Sequence, residues 1–109
     1  MAIISQDNNV CTLINVYTID PERQQELLDL LIDATEQVMK KLPGFVSANF
    51  HKSLDGTRVS NYAQWESKET LEAMLQHPEA QGHIKACLNM VQNMDYHLYT
   101  VEYGVTGGQ

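Results

Sequence analysis

The chain has 109 residues, 43% of them apolar, which is enough for one buried core and too few for two. Acidic residues outnumber basic ones 14 to 7, and the formal charge of −7 has the wrong sign for neutralising nucleic-acid phosphates or anionic lipid. No apolar run reaches the ~20 residues of a membrane-spanning helix. Cys11 and Cys87 stand far apart with no CxxC or Cys/His spacing, so they read as two buried thiols and not as a zinc site or disulfide framework. No basic cluster followed by an apolar stretch opens the sequence. The reading is therefore a cytoplasmic protein whose partners are neither nucleic acid nor membrane.

Residues 10–19 are rich in β-branched side chains and roughly alternate, which predicts a strand. Asp20-Pro21 supplies a cap and a first helical residue. Leu27, Leu31, Ala34, Val38 and Leu42 then recur at steps of three or four, predicting a helix to about Lys41. Pro43-Gly44 stops it. Strands over residues 45–54 and 58–66 flank Asp55-Gly56, a strong hairpin signal. Ser67 caps a second helix with Leu71, Met74 and Leu75 on its inner face. Pro78 interrupts that helix and opens a further segment carrying Ala80, Ile84, Leu88 and Val91. A last strand is predicted over residues 96–103. The whole is one domain, 1–109, with its core at about 10–103 and flexible ends at 1–9 and 104–109.

The order β-α-β-β-α-β predicts an α+β, ferredoxin-like fold: an antiparallel sheet with its helices on one face. A two-residue Asp55-Gly56 turn pairs Phe50 with Asn61 and Val46 with Trp65. The face under the helices then reads Val46, Ala48, Phe50, Val59, Asn61, Ala63 and Trp65. The opposite face reads Phe45, Ser47, Asn49, His51, Ser60, Tyr62, Gln64 and Glu66. Its mixed polarity with aromatic anchors predicts a homodimer in which two sheets stack.

Asn61 is the odd residue on the apolar face, because a buried carboxamide without a partner costs about 1–3 kcal/mol. It lies four residues before Trp65, so both side chains point the same way along one strand. Parity places Asn15 with Leu13 and Tyr17 on the first strand. Two readings of these amides stand side by side. In one they line a pocket; in the other they pair with backbone, and Trp65 is core.

The element order, Pro43-Gly44-Phe45 at the second strand, the stretch Asn61-Tyr62-Ala63-Gln64-Trp65-Glu66-Ser67 and the later His77-Pro78 resemble the antibiotic biosynthesis monooxygenase family. The resemblance spans about residues 10–103 and implies a dimeric α/β barrel. One branch of that family oxidises phenols to quinones with O₂ and without metal, flavin or haem, using pocket Asn and Trp residues; Asn61 and Trp65 match those positions. Its pocket Tyr and Arg fall by spacing on Leu71 and Lys85. Lys85 retains a positive charge, whereas Leu71 cannot replace a phenol. A haem-degrading branch uses a first-strand Asn, matched by Asn15, but its helical aromatic position falls on Met74. His83 and Ile84 straddle the position of its iron ligand.

The resemblance implies a cofactor-independent monooxygenase acting on a small aromatic phenol or hydroquinone with O₂. Asn61, Trp65 and Lys85 would be its catalytic residues, and Asn15, Phe50, Leu71, Met74 and His83 would bind the substrate, with no metal and no cofactor. The alternatives are a non-catalytic dimeric ligand-binding module of the same fold and a haem-degrading enzyme.

Overall fold

The first strand, β1 (Cys11–Thr18), runs through the middle of a four-stranded antiparallel sheet in a computed structural model that describes residues 10–108. The expected flexible end at 1–9 lies outside the described residues. Asp20 caps the turn that follows: its side chain accepts from the Glu22 N–H at 3.0 Å, and Pro21 takes a position that needs no N–H donor. A single 3₁₀ turn leads into α1 (Gln24–Gln37), whose buried face is Gln24, Leu27, Leu31 and Ala34. The helix expected to reach Lys41 ends earlier, at Gln37. Thr35 turns its hydroxyl back onto the Leu31 carbonyl at 2.9 Å, and the chain tightens into a 3₁₀ turn over Met39–Lys41.

The strands β2 (Phe45–Lys52) and β3 (Arg58–Trp65) form the expected hairpin, with Phe50 opposite Asn61 and Ala48 opposite Ala63. Its connection is longer than a two-residue turn. Gly56 donates to the Ser53 carbonyl at 3.1 Å, and the Asp55 carboxylate accepts from Ser53 Oγ, Thr57 N and Thr57 Oγ1. Buried Gln24 ties this loop to α1 by donating to the carbonyls of Ser53 and Arg58 at 3.1 and 2.9 Å.

The start of β2 departs from the expected register. An irregularity between Phe45 and Ser47 leaves Val46 unpaired, so that Phe45, and not Val46, stands opposite Trp65. Val46 is 41% exposed, and Phe45 packs edge-on against Trp65 with ring centroids 5.4 Å apart. Both assignments from strict alternation are therefore exchanged: Val46 leaves the covered face and Phe45 joins it.

Ser67 and Thr70 form a reciprocal capping box at the start of α2 (Lys68–Gln76), and after His77 the proline opens α3 (Pro78–Leu88), as expected. The last strand, β4, spans Asn93–Tyr99, earlier than the 96–103 expected from composition. Pairing with β1 sets its limits, since Asn93 lies opposite Thr18 and Tyr99 opposite Thr12, and beyond Thr12 little of β1 remains to pair. The strand order is β2-β3-β1-β4, and the helices pack on one face of this ferredoxin-like sheet.

Gly44 is the tightest joint in this arrangement. It adopts φ +88°, accepts from the Glu66 N–H at 2.7 Å, and any Cβ there would be driven into the Thr70 side chain of the capping box. Gly44→Ala is expected to destabilise the fold by about 2–4 kcal/mol, combining left-handed backbone strain with steric overlap. Urea denaturation measures this, and a midpoint unchanged from wild type would refute it.

Candidate active site

The core divides into two clusters. One gathers Leu13, Val38, Ala63, Trp65, Leu71 and Met74 with Ala80; the other gathers Tyr17, Ile19, Leu27, Leu31, Val59 and Cys87. A cavity of about 140 Å³ lies between sheet and helices and takes wall residues from both. That is roughly ten times the space a single water needs on such a measure, so the cavity is of ligand size. Met74, Trp65 and Phe50 line it and do not fill it. Leu88 and Met94, 42% and 36% exposed, mark its solvent side.

The floor is one row across the sheet. Phe50 on β2 faces Asn61 on β3, Asn61 faces Asn15 on β1, and Asn15 faces Tyr96 on β4. All four side chains line the cavity. The amide oxygens of Asn15 and Asn61 are both buried and both without a hydrogen-bond partner. Two orphaned acceptors on adjacent strands are costly in an apolar wall. A donor brought within reach of either oxygen would offset that cost.

The roof comes from α1, α2 and α3. On α3 the side chains of His83, Ile84, Cys87 and Leu88 turn inward, a spacing of three and four that marks one helical face. Lys85 does not turn inward. It is exposed and lies outside the cavity lining, one step of about 100° round the helix from Ile84. Leu71 is fully buried beside Trp65 in the first core cluster and does not reach the cavity. Of the residues singled out from sequence, Asn15, Phe50, Asn61, Trp65, Met74 and His83 are thus brought together, and Leu71 and Lys85 are not.

Strict alternation along β2 hides Phe45, which reaches the cavity only through the irregularity at Val46. Tyr17 and Tyr96 also line it: Tyr17 shares strand parity with Asn15, whereas Tyr96 comes there only by pairing opposite Asn15. Burial raises the Tyr17 hydroxyl well above the usual phenol range, with Cys87 and Tyr96 adding to the shift. Burial likewise raises Tyr96 and pushes the Cys87 thiol up to about 11. Among the described residues, no three His, Cys, Asp or Glu side chains gather to hold a metal ion.

These raised values have a consequence for alkaline stability. Above pH 9, the ordinary thiol value, and then above pH 10, the ordinary phenol value, the unfolded chain sheds protons that folded Cys87 and Tyr17 keep. Their contribution is complete below those values and is lost as pH rises through the folded ones. The melting temperature is expected to fall between pH 9 and 11, with a shallower slope in Cys87→Ala; equal slopes in both proteins would exclude the thiol as a contributor.

The sequence profile of the antibiotic biosynthesis monooxygenase family matches residues 11–86, and the chain belongs to that family. Tetracenomycin-F1 monooxygenase of Streptomyces glaucescens is 47% identical to it over 87 residues, 80% of this chain and 78% of the relative. A monooxygenase of Streptomyces coelicolor solved in complex with nanaomycin D superposes with a TM-score of 0.83 at 24% identity, covering 93% of this chain and 95% of that one. SnoaB, a cofactor-independent oxygenase of Streptomyces nogalater, superposes with a TM-score of 0.79 at 18% identity, covering 89% and 97%. The two structural likenesses establish the fold, and the family match with the closer relative supports monooxygenase activity. No helix among the described residues is long and apolar enough to cross a membrane.

Proposed function

We propose that this chain is a cofactor-independent monooxygenase that oxidises a hydroxylated aromatic compound to a quinone with O₂. The observation that carries this reading is the pair of amides, Asn15 and Asn61, that line an otherwise largely apolar cavity and whose oxygens are buried without a hydrogen-bond partner. Apolar walls suit fused aromatic rings, and the two acceptors suit hydroxyl groups on one edge of them. The similarity to tetracenomycin-F1 monooxygenase supports a polycyclic substrate of that kind.

The reaction balances with no external reductant. A phenol with a free para carbon gives four electrons to O₂. One oxygen atom bonds to that carbon; the other leaves as water with the hydroxyl hydrogen and the displaced ring hydrogen. The protein's task is to hold the ring system, keep water out and favour the phenolate, which is the form rich enough in electrons to reduce O₂. In this reading Asn61 and Asn15 fix the hydroxyls, while Trp65 and Phe50 set the plane of the rings. We further infer that two copies stack through the outer face carrying His51, Tyr62 and Tyr99, as its mixed composition suggests; Gln64, expected on that face, is buried within the chain and donates to Thr12.

The test is O₂ consumption with 1-naphthol, 1,8-dihydroxynaphthalene and anthrone, with products analysed by mass spectrometry after reaction in ¹⁸O₂. Quinone carrying one ¹⁸O atom, formed above the buffer rate and at a one-to-one ratio with O₂, is the expected result. Tight binding of these compounds without O₂ uptake would favour the ligand-binding module instead.

A further inference from the structure

Among the described side chains that line the cavity there is no carboxylate, no arginine and no lysine. The reaction proposed above nevertheless requires a phenolic proton to be taken up and a developing anion to be offset in a place shielded from water. Among the described residues, the titratable groups facing the cavity come from three elements. Tyr17 on β1 and Tyr96 on β4 are phenols raised by burial, Cys87 on α3 is a thiol raised to about 11, and the fourth is His83 on α3. Helices α1 and α2 and strands β2 and β3 contribute none. The three raised groups hold their own protons at neutral pH and cannot accept another. An imidazole can do so, and on protonation it becomes a cation.

We propose that His83 is the catalytic base of this site, taking the phenolic proton of the substrate and, as imidazolium, supplying the only positive charge among the described residues that faces the phenolate. The assignment rests on the monooxygenase reading. Its position fits both roles. His83 sits one helical turn before Cys87 on the inward face of α3, across the cavity from the amide row on the sheet. The sheet-side hydroxyls donate to Asn15 and Asn61, and the hydroxyl turned toward α3 meets His83. The residue is half-buried, so its ring also reaches the solvent side. Lys85, the cation suggested by family spacing, faces away, so the charge it was expected to supply falls to His83.

The proton balance closes around this one residue. The substrate O–H bond breaks as an N–H bond forms on His83. The phenolate is oxidised by O₂ and a C–O bond forms at the para carbon. The imidazolium then protonates the peroxide. As the O–O bond breaks, His83 removes the para hydrogen, and the departing hydroxide leaves with a proton as water.

The experiment compares wild type, His83→Gln and His83→Ala with 1,8-dihydroxynaphthalene. Under anaerobic conditions, binding to wild type is expected to shift the absorbance of the ligand to that of its phenolate, and His83→Gln is expected to bind the neutral form with an affinity within about threefold. In air, kcat of both variants is expected to fall about 10²-fold with KM little changed, and free imidazole is expected to restore part of the rate to His83→Ala. A 4-nitro-substituted naphthol, already ionised at the assay pH, tests the charge role without the proton step and is expected to bind wild type more tightly than His83→Gln. A His83→Gln enzyme with wild-type kcat and an unaltered pH profile, or phenolate formation unaffected by the substitution, would overturn the assignment while leaving the monooxygenase reading intact. Wild-type protein that binds the ligand and consumes no O₂ would overturn both.

Discussion

Replacing Asn61 with alanine is expected to lower kcat/KM about 10²-fold while moving the melting temperature by no more than about 5 °C. The two magnitudes have separate origins. Holding an aromatic ring in a reactive orientation is worth about 10²-fold or more, and Asn61 stands in the middle of the floor against which that ring lies. For stability the side chain works against itself, since its amide oxygen is buried without a partner at a cost of about 1–3 kcal/mol. Alanine removes that cost together with some packing, so the two changes largely cancel, and each residual kcal/mol moves a domain of this size by about 4–8 °C. Steady-state kinetics and calorimetry on the same preparation measure both. A melting temperature lower by 10 °C or more, with turnover falling only in proportion to the folded fraction, would identify Asn61 as a structural residue.

Trp65→Ala should show the opposite pattern, with the largest loss of stability of any single substitution in the site. Trp65 is 2% exposed, packs edge-on against Phe45 and belongs to the core cluster of Leu13, Leu71 and Met74. Truncating a buried tryptophan costs about 3–5 kcal/mol, a large part of the 5–15 kcal/mol typical of a whole domain. The expected fall in melting temperature is about 15–25 °C. Because this variant would be partly unfolded under assay conditions, Trp65→Phe is the appropriate kinetic probe. It keeps a ring against Phe45 and is expected to lose about 1–2 kcal/mol of stability. A Trp65→Ala protein melting within 5 °C of wild type would show that the cluster does not depend on it.

The elements most legible in the sequence were those set by local chemistry. Asp20-Pro21, Ser67 and Pro78 each mark a helix boundary through a cap or a missing N–H, and all three do so in the structure. The Asp55-Gly56 signal gave the correct hairpin pairing of Phe50 with Asn61, even though the loop itself is longer. Features that depend on distant partners were not legible. The exchange of Phe45 for Val46 follows from how an edge strand packs onto Trp65, which alternation cannot express. The span of β4 follows the length of β1, against the pull of its own composition. Within the site, the amides were visible because a carboxamide among apolar neighbours is conspicuous. Lys85 was misplaced because family spacing counts residues, whereas the direction of a helical side chain changes by about 100° at every step.

The central position of β1 also governs when the protein can become functional during synthesis. Asn15 is among the first residues of the fold to leave the ribosome, and its two cross-strand neighbours, Asn61 and Tyr96, come from the middle of the chain and near its end. Every pairing made by β1 is therefore long-range, and such pairings are slow to close because so much intervening chain must be ordered first. Until β4 emerges, one edge of β1 carries unpaired backbone donors and acceptors, an invitation to strands of other nascent chains. The four-residue row across the floor is complete only with the last strand, so a translation product stopped before β4 carries Asn15, Asn61 and Trp65 but lacks Tyr96 and one wall of the site.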